Sequence, residues 1–350
     1  KTYQAVQFSR EISTHGETEK IIDYLHELGL KVIFDIDDYW KLDKYHGLYD
    51  SYKENFIPQQ TEEAIRLSDH VTCTTELFAD EIRTINKSVT VLPNAIDPQQ
   101  PQYRVRDIES PRMRFGWVGG VHHGEDIELL RESIKRLYND KEIRGKWQLC
   151  LAGFNIENTK ALAGEYLKKG ITINEAINRE YYVGLEKIFT QNYNLDKKYV
   201  RFLMGLENTM DHYTIDQDYR RIWNRGVGEY IQAYNEIDVA LVPLRDTPFN
   251  TMKSQLKIIE AGFMQKAVIV SGVNPYLIDC IHMDNCLMVK PGRDFIDWHT
   301  SIRRLVKNKN LYEDLRWELH YYVKERYNLE KINVERKDLY EHLLTTAVCA

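Results

Sequence analysis

Two apolar runs, IDVALVPL at 237–244 and KAVIVS at 266–271, most constrain what this chain can fold into. Neither keeps the polar/apolar alternation of a half-exposed strand. Each therefore predicts a strand buried on both faces, which a parallel sheet covered by helices provides. The residues between them have helical spacing and complete a βαβ unit. Similar runs recur along the chain, with strands expected near 3–8, 31–36, 70–75 and 89–92 and helices near 19–28, 60–68 and 76–85. A second series predicts strands near 112–118, 147–153, 200–205, 237–243, 267–271 and 286–290. The polar stretch NAIDPQQPQYRVRDIESPR, from Asn94 to Arg112, separates the two series and reads as a linker.

The expected class is α/β, with two Rossmann-like domains. The expected boundaries are 1–100 for the first domain, 101–112 for the linker and 113–310 for the second domain, with an insertion at 155–199. Residues 311–350 are expected to be helical and rich in aromatics. With 350 residues, 43% of them hydrophobic, the chain can bury two cores. Its first residue is Lys1 and a strand-like run follows at once, so the first domain is expected to be incomplete at its N-terminus.

Charge excludes some partners. The first 110 residues carry 12 Lys plus Arg against 20 Asp plus Glu, the opposite of a nucleic-acid-binding stripe. No polybasic or long apolar segment supports membrane contact. The five cysteines, at 73, 150, 280, 286 and 349, form no C-x-x-C pair, which predicts reduced thiols, a cytoplasmic protein and no metal cluster.

Three motifs carry chemistry. In PLRDTPFNTMKSQLKIIEAGFMQKAVIVS, from Pro243 to Ser271, one continuous helix would place Lys253, Lys257 and Glu260 at i, i+4 and i+7 on one face. Two cations and a carboxylate there suit a ligand with phosphates and vicinal hydroxyls; a solvated salt-bridged face is the alternative. In MRFGWVGGVHHGEDIELL, Gly119 and Gly120 follow a strand and allow close backbone approach to a phosphate. The spacing of Gly116, Gly119, Gly120 and Gly124 is not a nicotinamide fingerprint. His122 or His123 is a candidate phosphate contact, with helix capping or a structural role as the alternative for His123. In VIFDIDDYW, Asp35, Asp37 and Asp38 end a buried strand. They could hold a divalent cation or bind sugar hydroxyls, or an aspartate could cap the next helix. A phosphatase strand end of D-x-D type is a further reading, but its motif needs Thr or Val where this chain has Tyr39. Arg10, closing the first strand, could face the same side or be an ordinary surface arginine.

The block FN-x-x-KS-x-x-K-x-x-E, here Phe249, Asn250, Lys253, Ser254, Lys257 and Glu260, resembles the donor-binding segment of GT-B glycosyltransferases related to family 4. Gly120, His123 and Asp126 match a G-x-x-H-x-x-D loop of a subgroup, and SDHVTCTTELFADEI and VTVLPNAID resemble the last βα units of such a first domain, with Thr75 as an N-cap. The resemblance implies a GT-B fold with an interdomain cleft and a C-terminal segment packing back toward the first domain. It implies transfer of a sugar from a UDP- or GDP-sugar to an acceptor hydroxyl, retaining, in bacterial glycan or glycoconjugate synthesis. The acceptor would be a glycan, a lipid-linked sugar or a protein. Glu260 would bind ribose, Lys253 or Lys257 the diphosphate, and Asp37, Asp38 and Arg10 would line the acceptor side. No cofactor and no metal would be required, and the departing phosphate would serve as base, leaving no catalytic side chain assigned. One departure is that Met252 stands where an E-x7-E pattern has its first glutamate, so sugar specificity does not carry over. A nucleotide-sugar 2-epimerase shares the architecture, and a catalytically weak binding or scaffold subunit is the reading of a different class.

Overall fold

The computed structural model describes residues 3–13, 16–44, 46–120, 123–155, 168–172, 175, 181–193 and 217–345. The chain divides into two compact units. The first comprises Lys1–Asp97, Asp246–Ile259 and Glu325–Ala350; the second comprises Pro98–Arg245 and Glu260–Lys324.

The first unit is built on four parallel strands, β1 (Ala5–Ser9), β2 (Lys31–Ile36), β3 (His70–Cys73) and β4 (Val89–Val91), paired in chain order. In β2 and β3 nearly every side chain is buried, as in a parallel sheet covered on both faces, although Asp35, His70 and Thr72 interrupt the apolar residues. Thr75 caps the helix Glu76–Arg83, its hydroxyl accepting from the Phe78 amide at 3.2 Å, as expected. After β2, Tyr39 and Trp40 turn into the core beside Phe34 and Phe78. Their polar ends are met by Glu81 at 3.0 Å and Glu62 at 3.1 Å. Asp37 and Asp38 are thereby left exposed at the carboxyl end of β2. The helix Leu329–Thr345 belongs to this unit, entered through backbone hydrogen bonds of Ile96 with Tyr327 and Leu329 at 2.8 and 2.9 Å.

The second unit holds six parallel strands: β5 (Met113–Val118), β6 (Trp147–Phe154), β7 (Tyr219–Trp223), β8 (Val239–Val242), β9 (Ala267–Ser271) and β10 (Leu287–Val289). Their order is β10-β9-β8-β5-β6-β7, a doubly wound sheet whose winding reverses between β5 and β8. The strand expected at 200–205 lies outside the described residues, as does most of the 155–199 insertion. Beside β6 stands Tyr219–Trp223, which the apolar pattern did not single out. Residues 104–106, read as linker, pack within this unit: the Asn235 side chain accepts from the Arg106 amide at 2.9 Å and donates to the Arg104 carbonyl at 3.1 Å. Cys73, Cys150, Cys280 and Cys286 are free and buried. Cys349 lies outside the described residues. Among the described residues no helix is long and apolar enough to cross a membrane.

Candidate functional site

In a doubly wound sheet, ligands bind beyond the carboxyl ends of the strands where the winding reverses, here after β5 and β8. β5 ends directly before Gly119 and Gly120. Gly119 lies against the end of β6, its amide donating to the Ala152 carbonyl at 3.4 Å. A Cβ placed on Gly153 (φ +91°) would stand 2.3 Å from the Gly119 oxygen, whereas one on Gly120 would meet nothing within 4 Å. The first glycine is thus packed and the second faces open space.

His123 leads into the short helix Gly124–Ile127 but does not cap it with its side chain. Its Nδ1 lies 2.9 Å from the buried carboxylate of Asp126, and its ring meets Trp117 edge-on at 6.0 Å. The other Asp126 oxygen accepts from the Arg245 amide at 2.9 Å, and Arg245 pairs with Glu125 at 2.8 Å. One carboxylate therefore ties the loop after β5 to the residues after β8. His122 lies outside the described residues.

The single helix expected after β8 is broken. Thr247 caps a short helix, Pro248–Thr251, and a second helix runs over Leu256–Phe263. Between them Ser254 accepts from Asn94 at 2.8 Å and Gln255 donates to Tyr327 at 2.8 Å, tertiary contacts that override helical propensity. Lys253 is therefore not on one face with Lys257 and Glu260, and this expectation is corrected. Asn250 is buried in the short helix, its amide capped by Thr247. Lys257 is half-buried and shares the second helix with Glu260, one turn on.

Lys253 belongs with the first unit's acidic group. Its ammonium lies 4.8 Å from the centre of the Phe249 ring. Asp38 is exposed as a residue, but surrounding protein partly desolvates its carboxyl and raises its pKa, with the charge of Asp37 adding and those of Lys253 and Arg10 opposing. Arg10 directly follows β1 in the left-handed region, φ 64°, a conformation disfavoured for arginine. Arg10, Asp37, Asp38 and Lys253 thus form one group at the carboxyl ends of β1 and β2. Asp35 is set apart from it by accepting from Thr72 at 2.5 Å within the sheet. Among the described residues no three His, Cys, Asp or Glu are placed to hold a metal ion.

Glu260 is 5% exposed, so it does not belong to a solvated face. Its two oxygens accept from the hydroxyls of Tyr230 and, at 3.3 Å, Tyr234. Burial raises the pKa of both phenols, and the adjacent Glu260 charge raises them further, so both remain donors at neutral pH. The sequence reading missed this pair. Its signal is YIQAY, two tyrosines four residues apart just before β8.

No protein-family model matches the chain, and no curated protein matches it in sequence. Solved structures do match. Sucrose-phosphate synthase from Thermosynechococcus elongatus aligns with a TM-score of 0.59 at 16% identity, over 94% of this chain and 77% of that one. HepE from Anabaena, solved with UDP and glucose, gives 0.58 at 12% identity, over 94% of this chain and 76% of that one. A glycosyltransferase from Rickettsia africae gives 0.53 at 10% identity, over 98% and 99% of the two chains. At these identities the likeness is one of fold.

Proposed function

We propose, from the GT-B fold that this chain has, that it is a glycosyltransferase moving a sugar from a nucleoside-diphosphate sugar to an acceptor hydroxyl. The observation that carries the reading is the reversal point of the second sheet, where the Gly119–Gly120 opening stands beside the β8 end and Glu260 lies in the helix leading to β9. The donor is taken to be a UDP-sugar, in line with the ligands of HepE. Glu260, oriented by Tyr230 and Tyr234, would accept from the ribose diol. The amides of Gly119 and Gly120, with Lys257 and His123, would meet the diphosphate. Stabilising the charge that grows on the departing diphosphate lowers the barrier to its departure. Arg10, Asp37 and Asp38, with Lys253, would receive the acceptor. Retention of configuration and a role in bacterial glycan synthesis belong to this proposal.

Titrating nucleoside, nucleoside diphosphate and nucleotide sugar by calorimetry tests it. Lys257→Ala should weaken the diphosphate by about tenfold and leave the bare nucleoside unchanged, as expected for a charge-assisted contact. Equal affinities in wild type and variant would remove Lys257 from the site. Turnover should persist in EDTA, since lysine and backbone amides can meet the phosphate charge. Activity lost to EDTA and restored by Mg²⁺ or Mn²⁺ would instead assign Asp37 and Asp38 to a metal. One observation favours a second reading: Met252 packs on the first unit's core where the E-x7-E pattern has a glutamate. Nucleotide-sugar binding without hydrolysis or transfer would support a scaffold role.

A further inference from the structure

The amino ends of the second sheet carry a separate charged cluster, at the opposite strand ends from Gly119 and Arg245. Arg114 lies at the start of β5, Asp238 directly precedes β8 and Lys266 directly precedes β9. Arg114 takes up both oxygens of Asp238, through Nη2 to Oδ1 at 2.6 Å and Nε to Oδ2 at 3.0 Å, and its amide adds a bond to Oδ2 at 2.7 Å. Lys266 is 5% exposed, and among the described residues its ammonium makes no hydrogen bond or ion pair. Its charged neighbours are Asp238, Arg114, Arg316 and Asp107.

Arg316 is also incompletely matched. Its Nε is buried with no hydrogen-bond partner among the described residues. Its terminal nitrogens reach Glu313 at 3.4 Å, Gln265 at 3.5 Å and Asp107 at 3.7 Å, and the Asp107 side chain is 87% exposed. Arg114, Lys266 and Arg316 thus share three carboxylates, of which half-buried Asp238 is already engaged by Arg114, Glu313 and Asp107 pair with Arg316, and none is hydrogen-bonded to Lys266. A buried, unpaired ammonium is unfavourable, and a hydrophobic residue of similar volume would avoid that cost. Burial lowers the pKa of Lys266 to about 8, even though Asp238 opposes the shift, so at neutral pH the ammonium is mostly charged and under-compensated.

We infer that Lys266 and Arg316 form an anion site for a phosphate group, free or carried on a small phosphomonoester, distinct from the proposed nucleotide-sugar site. The oxygens of one phosphate can accept from an ammonium and from a guanidinium Nε together, which a carboxylate of this chain does not do here. The inference does not depend on the glycosyltransferase reading, because none of its residues lies at the carboxyl ends of the strands.

Calorimetric titration with inorganic phosphate and with glycerol 3-phosphate tests it. Lys266→Met should weaken phosphate by about tenfold or more, and Lys266→Arg should stay within about threefold of wild type. Lys266→Met should melt at or above the wild-type temperature without phosphate and, unlike wild type, gain nothing when phosphate is added. Should Lys266→Met fail to fold, Arg316→Gln provides the same comparison. Equal affinity for the two probes assigns the site to the free ion, and tighter binding of the ester assigns it to a phosphomonoester. Wild type that binds neither probe, or that Lys266→Met and Arg316→Gln match in affinity, overturns the inference.

Discussion

Gly153→Ala is expected to lower stability by about 2–4 kcal/mol, combining the penalty of a left-handed alanine with the overpacking of a filled contact. Gly153 has φ +91°, and the added methyl would sit 2.3 Å from the Gly119 carbonyl oxygen. That neighbour is backbone and cannot rotate away, so relief requires moving the loop after β5. Nucleotide affinity should fall with stability, because the loop that moves is the proposed phosphate cradle. Gly120→Ala is the control. Its methyl meets nothing within 4 Å, so stability should change by no more than about 0.5 kcal/mol while diphosphate binding weakens. Urea denaturation of both variants, paired with nucleotide titration, reads the two effects separately. A Gly153→Ala protein as stable as wild type would show that the close approach to Gly119 imposes no constraint.

Glu260→Gln should weaken nucleotide-sugar binding by about ten- to hundredfold, the equivalent of losing roughly 1.5–3 kcal/mol of charge-assisted hydrogen bonding. The variant keeps the side-chain volume but removes the charge toward which Tyr230 and Tyr234 donate, so some stability is lost as well. Tyr234→Phe distinguishes the two effects. It removes a buried hydroxyl that bonds Glu260 and should lower stability by about 1 kcal/mol while leaving the carboxylate in place. A Glu260→Gln protein that is destabilised yet binds nucleotide sugar as wild type does would make this glutamate a structural group that anchors two tyrosines.

Much of both sheets was legible because parallel strands buried on two faces are written as uninterrupted apolar runs, and IDVALVPL and KAVIVS are such runs. Tyr219–Trp223 was not, since it carries Arg220 and Arg221 in its centre. Arg221 is accommodated by an ion pair with Glu186, both side chains no more than 1% exposed, and by stacking near Trp223 at 5.5 Å. An ion-pair partner as distant in sequence as Glu186 leaves no local signal. The break before Leu256 was hidden for the same reason: Asn94 and Tyr327, which hold Ser254 and Gln255, come from remote segments. Spacing therefore grouped Lys253 with Glu260, while the folded chain groups it with Arg10, Asp37 and Asp38. The aspartates after β2 were recognisable as a set, and the aromatic pair behind them explains why they remain outside the core.

Asp126 joins the two strand ends at which the winding of the second sheet reverses, by holding the His123 ring and the Arg245 amide at once. His123 and Arg245 are thereby placed when the domain folds. The freedom that these two residues would otherwise lose on ligand capture is already lost, which favours binding by groups held in position. Selectivity would then change through the partners of one small acid as readily as through residues that touch the ligand.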